Sequence, residues 1–300
     1  MKRVTITFDF EGTWGMPHNS AYDLAESTNL LLEVLKNNNA QAVFFITGKL
    51  IEQYPEIIRL IHVNGHEIGF HGYTHEHMHN LTPSQLNELV LSLAATAKEL
   101  SSITGYAPKG FRAPYLMGPI FYDAAVYKAL SGQSYTWISN REIRFPEELF
   151  RPDRLKLGYG LLKIRSVRKL LLVALNARLI FTENHFTGQR YVAAVSWLLG
   201  PQNPYLRPDS IIEYPLTSPL DCDLLGFPEP QTPSGHQFVA YATRTITDCY
   251  DKSGLDFNIN CHDWITGTAD RSQVLDSVLK HINASGEAIY YRPGLDGATQ

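Results

Sequence analysis

The 300-residue chain reads as an α/β protein built on a parallel sheet or barrel. Three observations carry this. Short β-favouring apolar runs alternate with longer stretches of helical periodicity, the rhythm of successive βα units. Hydrophobic residues make up 44% and charged residues 19%, which supports a sizeable core and argues against disorder. Polar residues capable of chemistry fall at the C-terminal ends of the predicted strands, which share one face in such a fold.

Taken in order, Val4–Phe8 alternates apolar positions and predicts a first strand. Tyr22–Lys36 has helical periodicity and stops at the Asn37–Asn39 run. Val43–Ile46 is an apolar strand, Pro55–Val63 a helix and Glu67–Phe70 a short strand. Thr82, Pro83 and Ser84 open a long helix to about Ile103, with Pro83 in the favoured first turn. Lys109–Phe111, Tyr135–Ile138, Ile211–Tyr214 and Asp256–Asn260 read as strands, Gly235–Tyr250 and Arg271–Asn283 as helices. No repeat or low-complexity tract interrupts them. The expectation is one domain over 1–300, with an insertion at about 146–205 that contains no clean strand–helix unit. Within 151–180, Arg151, Arg154, Lys156, Lys163, Arg165, Arg168, Lys169 and Arg178 stand against one acid, Asp153, beside the apolar run LLLVAL at 170–175.

The net charge of −4 argues against nucleic acid as a partner. Cys222, Cys249 and Cys261 are odd in number and widely spaced, which excludes a disulfide framework and a zinc ribbon and fits a reducing compartment. MKRVTITFDF runs straight into a strand without a signal-peptide pattern, and no apolar stretch reaches about 18 residues. The expected location is the cytoplasm, with attachment to the inner face of the membrane left open.

His71 and His75, in GFHGYTHEH, have a spacing that can bring two imidazoles to one metal ion. Asp9 or Glu11, flanking Phe10, could supply a carboxylate as third ligand, leaving a position for water. The other carboxylate could then serve as general base. Arg112 could hold Asp9 ionised, and His262, in INCHDW, is a candidate general acid. The competing readings are bland: a structural salt bridge for Arg112, a core histidine for His262, a His-rich surface loop for His71 to His79. His77 and His79 are assigned to that loop, and Cys261 is read as a buried small hydrophobe.

TFDFEG, GHEIGFHGYTH, GFRAPY and NINCHDWITG, in that order, resemble the polysaccharide deacetylase (NodB-homology, carbohydrate esterase 4) superfamily, with AVFFITG at 42–48 as a supporting match. The resemblance covers about 3–140 and 211–292. It implies a distorted, incomplete (β/α) barrel and a metal-dependent hydrolase acting on N-acetyl groups of sugars. By position, Asp9 matches the family's base, His71 and His75 its metal histidines, and Arg112 the arginine that holds the base. Tyr115 matches a backbone N–H donor to the oxyanion, and His262 the acid. Two departures stand out. Phe10 separates the paired acids, so Glu11 takes the metal position, a form similar to a branch with allantoinase-like and cyclic-imide hydrolases as well as some glycan deacetylases. The family's aspartate–tryptophan motif is not evident; Trp137 stands nearest without its acid, and Asp263 is the residue adjacent to His262.

The implied mechanism has water on one divalent metal ion, activated by Asp9, attacking an amide carbonyl, with His262 protonating the departing nitrogen. Zinc suits two histidines and a carboxylate; iron, cobalt, nickel and manganese are also compatible. The expected substrate is an N-acylated amino sugar on a cytosolic or lipid-linked glycan precursor, such as a sugar on a polyprenyl phosphate. The basic stretch at 151–180 could meet an anionic membrane surface or pack on the barrel. The alternatives are a cyclic amide or imide hydrolase and an inactive glycan- or lipid-binding relative.

Overall fold

The computed structural model describes residues 1–12, 22–78, 81–117, 124–141, 203–225 and 236–297. Among these, nine strands form one curled sheet: β1 Lys2–Phe10, β2 Ala42–Ile46, β3 Glu67–Phe70, β4 Gly110–Phe111, β5 Trp137–Ile138, β6 Tyr205–Leu206, β7 Ile212–Glu213, β8 Asp256–His262 and β9 Ala288–Tyr290. The order is β6-β7-β5-β4-β3-β2-β1-β8, with β9 beside the start of β1. Every pairing is parallel except β6 with β7. Among the described residues no strand pair joins β7 to β8. The gap is bridged by the segment after β7, where the Thr217 and Ser218 N–H groups donate to the Asn258 carbonyl at 3.1 Å. The result is an incomplete, distorted (β/α) barrel.

Helices α1 Leu24–Asn37, α2 Gly48–Gln53, α3 Pro55–Val63, α4 Pro83–Thr104 and α5 Ala124–Gly132 follow successive strands. α4 begins as its sequence predicts: the Thr82 hydroxyl accepts from the Gln85 N–H while the Gln85 side chain accepts from the Thr82 N–H. Strand alternation divides the core. Val4, Ile6, Phe8 and Phe10 face the helices, with Phe8 stacked on Phe44 at 4.7 Å, each such burial contributing about 1.5–3 kcal/mol. Thr5, Thr7 and Asp9 face the barrel interior with their parallel neighbours Val43 and Phe45. Trp137 lies in that interior too, against Phe45 and Tyr214, and its indole N–H donates to the buried Glu67 at 3.0 Å.

The predicted elements are present with small shifts at their ends. β1 continues to Phe10 and β8 to His262, carrying Asp9 and His262 inside regular strands. α2, α5 and β9 are additions. Each is short, nine residues at most, so its periodicity has too few repeats to read. Tyr205, placed at the end of the insertion, instead begins β6. The remainder of the insertion, 146–202, with the basic stretch at 151–180, lies outside the described residues, as does His79. Among the described residues no helix is long and apolar enough to cross a membrane.

Candidate active site

The strand ends deliver Asp9, Glu11, His71, Arg112 and His262 to one face of the barrel, and the loop after β3 adds His75. This loop is not a helical turn. Gly72 and His75 both adopt left-handed backbone conformations, φ 76° and 61°, and a Cβ on Gly72 would come within 3.1 Å of Met78 and Pro114. Glu76 holds the loop, its carboxylate accepting from the Tyr73 N–H at 3.0 Å and the Thr74 N–H at 2.7 Å. The two imidazoles thereby converge on one oxygen: His71 Nε2 is 3.1 Å and His75 Nε2 2.9 Å from Glu11 Oε1. The Trp264 indole donates to the other Glu11 oxygen at 2.9 Å.

The donor set fits a divalent cation. His71 Nδ1 donates to the Arg112 carbonyl at 2.9 Å, which turns Nε2 toward Glu11 as the atom that would bind an ion. Three acceptor atoms of Glu11, His71 and His75 lie within 4.8 Å of one another, all in buried residues. Acceptors this close and this dry call for a positive charge between them. Burial alone would raise the Glu11 pKa, but the contacts from His71 and His75 hold it well below the ordinary carboxylate range.

Asp9 is positioned from the other side. Arg112, fully buried, donates from Nη1 to Asp9 Oδ1 at 2.7 Å and to Thr7 Oγ1 at 2.9 Å. Its Nε and Nη2 are both 2.8 Å from Ser139, on the carbonyl and the hydroxyl. Asn260 Nδ2 reaches the second Asp9 oxygen at 3.3 Å. Burial, the largest single effect, opposes the Asp9 charge, but Arg112, His71 and His262 together outweigh it and lower the pKa.

His262 stands 3.8 Å from Asp9, Nε2 to Oδ2. Its partner is Asp221, which the sequence reading did not single out. Asp221 Oδ1 lies 2.6 Å from His262 Nδ1, while Oδ2 accepts from the His262 backbone N–H and the Thr266 hydroxyl, both at 2.7 Å. Burial works to lower the His262 pKa. Asp221, with smaller contributions from Glu11 and Asp9, overrides it and raises the pKa to about 10.

Asp263 does not orient His262. It accepts from the Glu11 and Gly12 N–H groups at 2.8 and 3.0 Å and from the Tyr22 hydroxyl, so it fixes the turn that presents Glu11. Trp137 lies deeper in the barrel on Glu67 and is no stand-in for a site residue. Tyr115 sits at φ 59° with its ring edge-on to His75 at 4.7 Å. Its other neighbour is His77, stacked flat at 4.0 Å, so His77 packs on the site wall and is more than a solvated loop residue. Cys261 is buried, and burial pushes its thiol pKa well up, in keeping with an inert packing role.

Fold and site together define a (β/α)-barrel protein with a buried aspartate–histidine pair beside a cluster of three donors that could hold a metal ion. The polysaccharide deacetylase family profile matches residues 1–137, a little under half of the chain. Similar curated proteins include a peptidoglycan-N-acetylglucosamine deacetylase of Bacillus cereus, 34% identical over 90 residues, and chitin deacetylase 1 of Cryptococcus neoformans, 31% identical over 107. These matches cover 30% and 35% of this chain and span only 32% and 21% of the relatives' lengths. A Mycobacterium smegmatis protein assigned to the polysaccharide deacetylases shares the fold with TM-score 0.62 at 17% identity, over 95% of this chain and 85% of that one. A Bacillus cereus polysaccharide deacetylase superposes with TM-score 0.54 at 15% identity, over 98% and 94%.

Proposed function

We propose that the chain is a metal-dependent amide hydrolase that removes an N-acyl group, acetyl in the first instance, from an amino sugar. One observation carries this reading. Asp9 and His262 meet at 3.8 Å beside the Glu11–His71–His75 cluster, each with its own buried partner, and their pKa values are pushed in opposite directions. A pair separated in this way divides into base and acid.

A divalent ion held by Glu11, His71 and His75 would polarise the substrate carbonyl and acidify water towards neutrality. Zinc suits this donor set; iron, cobalt, nickel and manganese also fit it. Asp9, kept ionised by Arg112, takes a proton from the attacking water. The Tyr115 backbone N–H is assigned to the developing oxyanion. His262, charged and oriented by Asp221, passes its proton to the nitrogen as the C–N bond breaks. A carboxylic acid and an amine leave.

The substrate we favour is a glycan precursor, above all an N-acylated hexosamine on a polyprenyl phosphate at the inner face of the cytoplasmic membrane. The basic stretch at 151–180 beside LLLVAL supports it, since each cation near an anionic surface adds about 1 kcal/mol. The test is acetate release from a polyprenyl-phosphate-linked N-acetylhexosamine in detergent. Wild type releases acetate and His262→Ala does so at least about 100-fold more slowly. No release from protein holding one metal ion per chain overturns this substrate and turns the search to soluble cyclic imides. Failure to co-sediment with anionic vesicles overturns the membrane assignment.

A further inference from the structure

We propose that Asp221, Cys222 and His262 form a second, inhibitory site for a thiophilic divalent ion such as zinc or cadmium, which disarms His262 as a proton donor. The proposal rests on the role just given to His262. A carboxylate oxygen, the Cys222 sulfur and an imidazole nitrogen lie within 4.8 Å of one another here. They share no residue with Glu11, His71 and His75.

Two elements supply the donors. Asp221 and Cys222 open the helix Asp221–Leu225, and His262 ends β8. The Cys222 N–H donates to Asp221 Oδ1 at 2.8 Å, which fixes the carboxylate against the backbone that carries the thiol. The imidazole presents Nδ1 on this side, 2.6 Å from the same oxygen. Metal bonds of about 2.0–2.2 Å to nitrogen and oxygen at a tetrahedral angle place the two atoms roughly 3.3 Å apart. The ring and carboxylate therefore need to separate by less than about 1 Å. Cys222 is only partly buried, which gives an ion a way in.

Binding replaces two protons. The ion takes the position of the hydrogen on Nδ1 and that of the thiol hydrogen, and both are released to solvent. His262 is then no longer an imidazolium with a proton to give, and Asp221 no longer orients it. The thiolate selects the ion: zinc and cadmium accept sulfur, whereas magnesium prefers an all-oxygen shell.

The experiment starts from protein carrying one zinc per chain and adds zinc, cadmium or magnesium. Wild type binds a second equivalent of zinc and loses at least about ten-fold in rate, while magnesium has no effect. Cadmium as the second equivalent brings an ultraviolet thiolate-to-metal charge-transfer band. Cys222→Ser keeps the basal rate, shows no such band and needs at least about ten-fold more zinc for the same inhibition. A second equivalent of cadmium without a thiolate band in wild type overturns the proposal. So does inhibition of C222S at the wild-type zinc concentration. Stoichiometry and the band report on this site even if the deacetylase reading fails.

Discussion

Asp221→Asn isolates the charge that governs His262. The variant keeps the shape of the side chain, and its amide oxygen can still accept from Nδ1. The negative charge is lost, and the amide NH2 replaces the oxygen that accepts from the His262 N–H and the Thr266 hydroxyl. With a contact of 2.6 Å, the charge centres lie roughly 4 Å apart, worth about 4 kcal/mol at an effective dielectric of about 20. At 1.36 kcal/mol per pKa unit this is about three units, close to the whole rise of His262 from 6.5 to about 10. His262 in the variant then titrates near 7. The acid must be protonated to work, so a raised pKa extends activity towards alkaline pH, and removing the anion pulls the alkaline limb back. The assay is kcat/KM against pH for both proteins, whose alkaline limb reports the acid in the free enzyme. The limb moves down by two to three units, and at pH 8 the variant retains about a tenth of the wild-type rate, with a much smaller deficit near pH 6. A bound divalent ion lowers His262 in both proteins, so the difference between them still belongs to Asp221. Limbs that coincide within half a unit would refute the assignment of Asp221 as the group that charges the acid.

Three further outcomes follow from buried contacts. Losing one of three ligands, His75→Ala lowers metal affinity by at least about 10–100-fold, read by metal analysis after gel filtration, and zinc bound as in wild type would remove His75 from the site. Arg112→Met strands the buried Asp9 charge and costs about 3–5 kcal/mol in urea unfolding; an unchanged midpoint would mean that Asp9 is stabilised without its 2.7 Å partner. Glu67 sits in the barrel with Trp137 and the Gly294 N–H as donors, and burial raises its pKa from 4.5 to about 8. The fold disfavours its ionised form, so this group's contribution is best below about pH 4.5 and falls by a few kcal/mol as pH rises to 8. Glu67→Gln removes that fall and exceeds wild-type stability at pH 8.5, and parallel pH–stability curves for the two proteins would contradict it.

The legible part of the site was the part placed by strand ends. Asp9, His71, Arg112 and His262 each lie at or just beyond the end of a parallel strand, so the βα rhythm alone brings them to one face. Glu11 follows by two-residue alternation. The His71–His75 spacing named two imidazoles that the structure brings together at Glu11. A loop with two left-handed residues, held by Glu76, brings the two imidazoles together. Asp221 escaped for a topological reason. It belongs to no strand, opens a five-residue helix, and reaches His262 from 41 positions away across the opening between β7 and β8. Asp263 is next to His262 in sequence, yet it does not orient it. β8 ends at His262 and the chain turns into a helix at Asp263, which sends its carboxylate to the Glu11 turn. Adjacency in sequence is informative only while the backbone keeps its period. At a strand-to-helix junction the period breaks, and neighbouring side chains are sent to different partners. A barrel left open between two strands needs a connecting segment to cover the gap, and here the cover carries an acid. That places the missing partner of the histidine on the closing segment, where no strand pattern could announce it.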